Sequence, residues 1–233
     1  MDAIIQQWDC AAKAYRQSQE DSDYVRCNKA IVQARFHKFS GESVLDLGCG
    51  YGCYTDYFRT AGADVIGIDG SEKMIELTRS EYPNTHFLVM DITKPLAFAN
   101  GQFDVIFCNQ VLMDIEDIAI IFSECRRILK PGGILYYGIV HPAFYDGTWI
   151  QDANGYDYAK VMDRYLTPYR ECGRFWGETT HFHRPLSAYL NAAAKCGLIL
   201  MQTWEPCTYD GATKNRDLPL FFFAEYQKPS KSI

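Results

Sequence analysis

The stretch Val44-Leu45-Asp46-Leu47-Gly48-Cys49-Gly50-Tyr51-Gly52 decides the fold. A short apolar strand runs directly into glycines at three alternate positions, and Cys53 to Ala61 then reads as a helix. Glycine at such a turn lets the chain bend sharply and lets a ligand approach without a Cβ in the way. The helix that follows offers unpaired N–H groups in its first turn. Moving outward, Asp64 to Ile68 is a second strand, and Ser71 caps a helix reaching about Glu81. Thr85 to Met90 and Phe103 to Cys108 are the third and fourth strands. A helix over Asp117 to Leu129 stops at Lys130-Pro131-Gly132-Gly133, and Ile134 to Val140 is a fifth strand. Strands alternating with helices predict right-handed βαβ units, and so a doubly wound α/β sheet with helices on both faces.

The expected organisation is one domain over residues 1–233. Residues 1–40 read as a helical cap, because Trp8, Ala12 and Tyr15, then Ile31, Ala34 and Phe36, keep roughly helical spacing. Residues 43–140 form the alternating core. From 141 to 184 the pattern dissolves into an aromatic-rich stretch that includes Phe144, Tyr145, Trp149, Tyr158, Phe175 and Trp176. A connection of that length carries function or structure of its own. Residues 185–228 close the chain: Pro185 opens a helix to about Cys196, and two strands follow over Leu198–Trp204 and Leu218–Tyr226.

A net charge of −6 and no run of Lys and Arg argue against nucleic acid as partner. The nine cysteines contain no CxxC pair, and several sit in apolar runs where a thiol packs as a small hydrophobe. No zinc set is evident, so no metal is expected. The first residues lack the pattern of a signal peptide and no segment has the length of a membrane span, so a cytoplasmic location with no membrane partner is expected. Nothing in the sequence speaks to oligomeric state.

Three features surround the glycine turn. Asp69 ends the second strand about twenty residues on, where a carboxylate takes both ribose hydroxyls of an adenosine. Asp91 ends the third strand, placed to receive an adenine amino group, with Ile92 against the ring. The fourth strand ends at Asn109-Gln110, whose backbone faces the crevice beside the first strand, where open α/β sheets bind ligands. A nicotinamide-dependent dehydrogenase shares the strand, turn and acid. Its fingerprint is GxGxxG, however, and here Cys53 stands at the third glycine. A silent cofactor-binding module stays open as a third reading.

The set Val44–Gly52, Asp69, Asp91, Phe103–Leu112 and Leu129–Gly133 resembles the class I S-adenosylmethionine-dependent methyltransferases, in their small-molecule, type 11-like branch. The resemblance implies a Rossmann-like sheet of seven strands, the last antiparallel and inserted between the fifth and sixth. It implies S-adenosyl-L-methionine as cofactor, with Gly48, Gly50 and Gly52 lining its methionine part. It implies Asp69 on the ribose, Asp91 and Ile92 on adenine and Asn109 near the methionine amino group, with Asp46, Cys49, Gly70, Met74 and Gln110 also expected among the cofactor-binding residues. Tyr15, in the N-terminal cap, is the expected contact from above.

The acceptor expected is a small molecule, methylated on O, N or C. The fourth strand lacks the Asn/Asp-Pro-Pro-Tyr/Phe turn of amino-group methyltransferases. The Pro206-Cys207 pair follows the sixth strand rather than the fourth, unlike cytosine-carbon enzymes. Aromatic rings of the insertion are expected to wall a flat or cationic acceptor, under a mobile cover made with the N-terminal helices. His141, His181 and His183 are the candidate general bases, His141 first because it directly follows the fifth strand. Of His181 and His183, one is expected to face the crevice and the other away. His37 and His86 are expected to be structural or exposed.

Overall fold

A computed structural model describes residues 3–20, 22–144, 147–174, 176–206 and 217–230. Tyr145, Phe175 and Cys207, named above, lie outside the described residues.

Helices α1 (Ala3–Ser18) and α2 (Asp23–Arg35) precede the sheet. Then β1 (Ser43–Leu47), α3 (Cys53–Thr60), β2 (Asp64–Asp69), α4 (Glu72–Glu81), β3 (His86–Val89) and β4 (Phe103–Asn109) alternate as expected. After a 3-10 turn at Leu112–Asp114 come α5 (Ile118–Ile128) and β5 (Leu129–Val140). Local chemistry sets the helix starts. Ser71 Oγ accepts from Met74 N, and Asp117 Oδ1 accepts from Ala119 N, each satisfying an orphan amide. The Lys130-Pro131-Gly132-Gly133 stop is not a clean gap, because β5 already pairs at Leu129 with Phe103 before the ladder resumes at Ile134 opposite Val105.

The insertion is the main departure from the sequence reading. It contains two antiparallel hairpins, β6 (Thr148–Gln151) with β7 (Asp157–Val161), and β8 (Tyr169–Gly173) with β9 (Thr179–His183). Asp152 Oδ1 accepts from Asn154 N and Tyr156 N and closes the first hairpin, with Gly155 at φ 78°. α6 (Leu186–Lys195), β10 (Ile199–Trp204) and β11 (Phe221–Gln227) complete the order.

Seven strands form one sheet in the order β10-β11-β5-β4-β1-β2-β3. β11 runs antiparallel to both neighbours, β5 and β10, while β1, β2, β3, β4 and β5 pair in parallel. This is the expected Rossmann-like sheet. Strand alternation divides the core in two. Val105, Phe107, Tyr136, Phe221 and Phe223 face a cluster built on α2 and α3, with Phe36 and Phe58 at its centre. Ile106, Cys108, Tyr137, Phe222 and Ala224 face the cluster that contains α5 and α6. Both faces of the central strands are covered, which leaves the strand ends and the exposed edge strand β10 open.

Gly52 belongs to this packing rather than to the crevice. It sits at the start of α3 with φ 84°, and a Cβ there would lie 2.8 Å from Phe87 Cζ and 2.8 Å from Thr78 Cγ2. Gly52→Ala is therefore expected to cost about 1–3 kcal/mol by overpacking, in addition to left-handed backbone strain, and to show as a lowered denaturant midpoint.

Candidate active site

The C-terminal ends of β1, β2, β3 and β4 open into a cavity of about 910 Å³, roofed by α1, α2 and the two hairpins. That volume lies towards the top of the roughly 300–1,000 Å³ range of ligand sites, enough for a cofactor and a small acceptor together.

The glycine turn forms one end. Gly48 N and Cys49 N both donate to Ile68 O, which folds the turn back over β2. A Cβ on Gly48 would lie 2.5 Å from Val111 Cγ2, and φ there is 77°, so the packed Val111 side chain and the left-handed backbone both favour glycine. Asp69 holds the turn from the next strand. Its Oδ2 accepts from Gly50 N at 2.9 Å and its Oδ1 from Ser71 N at 2.8 Å. Burial raises its pKa to about 6 against those two amide bonds. Asp46, behind the turn, accepts the Thr55 hydroxyl at 2.6 Å, and burial raises it to about 7.

Asp91 Oδ1 takes the amide and hydroxyl of Thr93, while Oδ2 makes no hydrogen bond among the described residues. Gln110 has φ 59°, unusual for a residue with a side chain, and its amide donates to Gly138 O at 2.7 Å. Its Nε2 is a buried donor without a partner in the cavity wall. Asn109 Nδ2 instead donates to Asn28 Oδ1, which also accepts the Tyr54 hydroxyl, tying α2 to the end of β4.

Of the thirteen expected cofactor residues, all except Gly52 line the cavity: Tyr15, Asp46, Gly48, Cys49, Gly50, Asp69, Gly70, Met74, Asp91, Ile92, Asn109 and Gln110. Tyr15 stands over Gly50, in edge contact with Trp8, Trp176 and Tyr51. The last three rings also line the cavity. Helix α1 is fastened over this end, because Asp9 Oδ1 accepts from Ser71 Oγ and Lys73 N, and Arg16 pairs with Glu81.

The three histidines part company. His141 is buried and does not line the cavity: Nδ1 accepts from Ala143 N at 3.1 Å, and Nε2 lies 2.5 Å from Glu205 Oε1. Burial lowers its pKa against the pull of Glu205. His183 donates from Nε2 to Tyr165 O and stacks on Tyr169, also outside the cavity. His181 lines the cavity, with Nδ1 2.8 Å from Asp114 Oδ1. His181 and His183, two apart on one face of β9, both border a smaller neighbouring hollow, and His181 alone of the two reaches the large cavity. His37 and His86 are exposed.

Asp114 and its support were not legible beforehand. Arg184, itself buried, donates to Leu112 O, Ile115 O and Glu116 O and so grips both flanks of the turn that carries Asp114. Burial opposes charge on His181, but the Asp114 carboxylate outweighs it and raises the imidazole above its ordinary range. Among the described residues no group of three metal-ligating side chains occurs, and no helix is long and apolar enough to cross a membrane.

A seven-stranded Rossmann-like sheet with a glycine turn after β1 and carboxylates at the ends of β2 and β3 is the arrangement in which open α/β sheets bind nucleotides. Residues 45–137 match the methyltransferase domain family of type 11. Ubiquinone biosynthesis O-methyltransferase of Bordetella pertussis is 30% identical over 114 residues, 47% of each chain. The enzyme of that name from Thiobacillus denitrificans is 32% identical over 106 residues, 44% of this chain and 46% of that one. The chain thus spans about half the length of the curated relatives it matches. A crystal structure of an S-adenosylmethionine-dependent methyltransferase from Mesorhizobium loti superposes with a TM-score of 0.74 at 25% identity, covering 90% of this chain and 99% of that one. Residues 45–137 thus carry a type 11 methyltransferase domain, and the fold around them is that of the S-adenosylmethionine-dependent methyltransferases.

Proposed function

We propose that this chain transfers a methyl group from S-adenosylmethionine to a hydroxyl of a small-molecule acceptor, with His181 as general base. The observation that carries the reading is the single cavity joining the nucleoside-binding strand ends to the His181–Asp114 pair. The cofactor, when bound, supplies a methyl group already activated on a sulfonium. The chain has to align the acceptor, exclude water and take up a proton.

Asp69 receives the ribose hydroxyls and Asp91 Oδ2 the adenine amino group, while Ile92 and Met74 pack on the nucleoside. Gln110 Nε2 meets an acceptor oxygen of the methionine end. Tyr15, Trp8, Tyr51 and Trp176 surround that end with apolar and electron-rich ring surface, which suits a cationic sulfonium. Asp114, 2.8 Å from His181 Nδ1, stabilises the imidazolium, and Nε2 is the nitrogen that takes the acceptor proton. His141 and His183 serve structure, each through the contacts described above. The test is methyl transfer to a panel of phenols, amines and acidic carbons; transfer confined to the amines, with no dependence on His181, would overturn the hydroxyl assignment.

The roof is proposed to move as a cover. Amide exchange in α1 and in 147–174 is expected to slow when S-adenosylhomocysteine and acceptor are both bound. Unchanged exchange would make the roof a rigid wall.

A further inference from the structure

Both hairpins present the same device to the cavity. On the first, Trp149 and Lys160 are cross-strand partners, with Lys160 Nζ 4.3 Å from the Trp149 ring centroid. On the second, Arg170 and Phe182 are cross-strand partners, with Arg170 Cζ 6.0 Å from the Phe182 ring centroid. All four residues line the cavity. No Asp or Glu among the described residues of the insertion does so. The acids of the cavity wall come from the strand ends and from the turn after β4, which brings Asp114 against His181.

Arg170 is the more telling of the two cations. It forms no ion pair among the described residues, and its hydrogen bond to Thr180 Oγ1 is long, at 3.4 Å. Its guanidinium stays presented beside an aromatic face. A planar fork of donors beside a ring matches a carboxylate carried on an aromatic system: the fork takes both oxygens and the ring stacks on the body of the ligand. Lys160 adds positive charge from the facing hairpin, anchored through Phe144 O.

Building on the methyltransferase reading, we infer that the acceptor is an anionic aromatic compound, a ring bearing a carboxylate, whose acid group binds Arg170 and whose ring lies against Phe182. The insertion then sets specificity by charge, separately from the cofactor half, which any acceptor would share.

The test is calorimetry on protein saturated with S-adenosylhomocysteine, titrated with 3-hydroxybenzoate and with its neutral isostere 3-hydroxybenzamide. The wild type is expected to prefer the acid by about 10-fold or more, as a charge-assisted contact in a partly shielded site does. Arg170→Met should bring the two ligands within about 2-fold, and Arg170→Lys, which keeps the charge but loses the fork, should fall between. If the acid shows no preference in the wild type, including the case in which neither compound binds, the inference falls while the methyltransferase reading stands. The same holds if Arg170→Met keeps the full preference. If S-adenosylhomocysteine itself does not bind, it is the methyltransferase reading that fails.

Discussion

Replacing His181 with Asn is expected to lower methyl transfer to a hydroxyl acceptor by about 10²–10⁴-fold, the range for loss of a general base, with little change in cofactor affinity. The pH profile separates a base from a structural residue. Asp114 raises the His181 pKa above its ordinary range, so in the wild type turnover should rise with pH and level off only above that range. Asp114→Asn removes the stabilising charge and leaves burial, which disfavours the imidazolium. The limb should then move to lower pH, even as turnover falls through lost orientation. The folding linkage has a definite sign. A raised imidazole pKa stabilises the fold fully below the unfolded value near 6.5, and that contribution is lost as pH rises through the folded value. A His181→Asn variant with near-normal turnover and an unchanged profile would return His181 to structure. Methyl transfer would then run on alignment alone.

The second large effect is on the cofactor. Asp69→Ala is expected to weaken S-adenosylhomocysteine binding by about 10-fold or more, since hydrogen bonds to a charged group contribute about 1.5–3 kcal/mol. The same variant frees Gly50 N and Ser71 N, so the glycine turn loses its anchor on β2. Because burial raises Asp69 to about 6, wild-type affinity should fall as pH drops through that value and the carboxylate is protonated. For the protein without ligand the sign is opposite. A carboxyl raised from 3.8 to about 6 favours the fold at low pH, and that contribution is lost as pH rises through 6. Binding that is flat between pH 5 and 8 would contradict the role given to Asp69.

The βα core was readable because its signals are local. A strand, a glycine turn and a capped helix sit within a few residues of one another, and Asp69 and Asp91 end strands whose lengths the apolar runs mark out. The insertion was harder to read, although Asn154-Gly155 is a hairpin signal in plain sight. Its strands are short and half-exposed, so they lack the clean alternation of a strand with one buried face. Sequence position also misdirects at His141. Following β5 places its backbone near the crevice, but the chain turns there, and the ring goes to Ala143 and Glu205. What makes His181 different is Asp114, sixty-seven positions earlier, held by Arg184. No spacing rule joins these three residues; they meet only because β9 packs against the turn that follows β4.

The central claim is that the strand ends of β1, β2, β3 and β4 bind the nucleoside and methionine parts of S-adenosylmethionine. Isothermal titration of the wild-type protein with S-adenosylhomocysteine and, separately, with NAD tests it most directly. Saturable one-to-one binding of S-adenosylhomocysteine is expected, and none of NAD. Heat of binding from NAD, with none from S-adenosylhomocysteine, would contradict it.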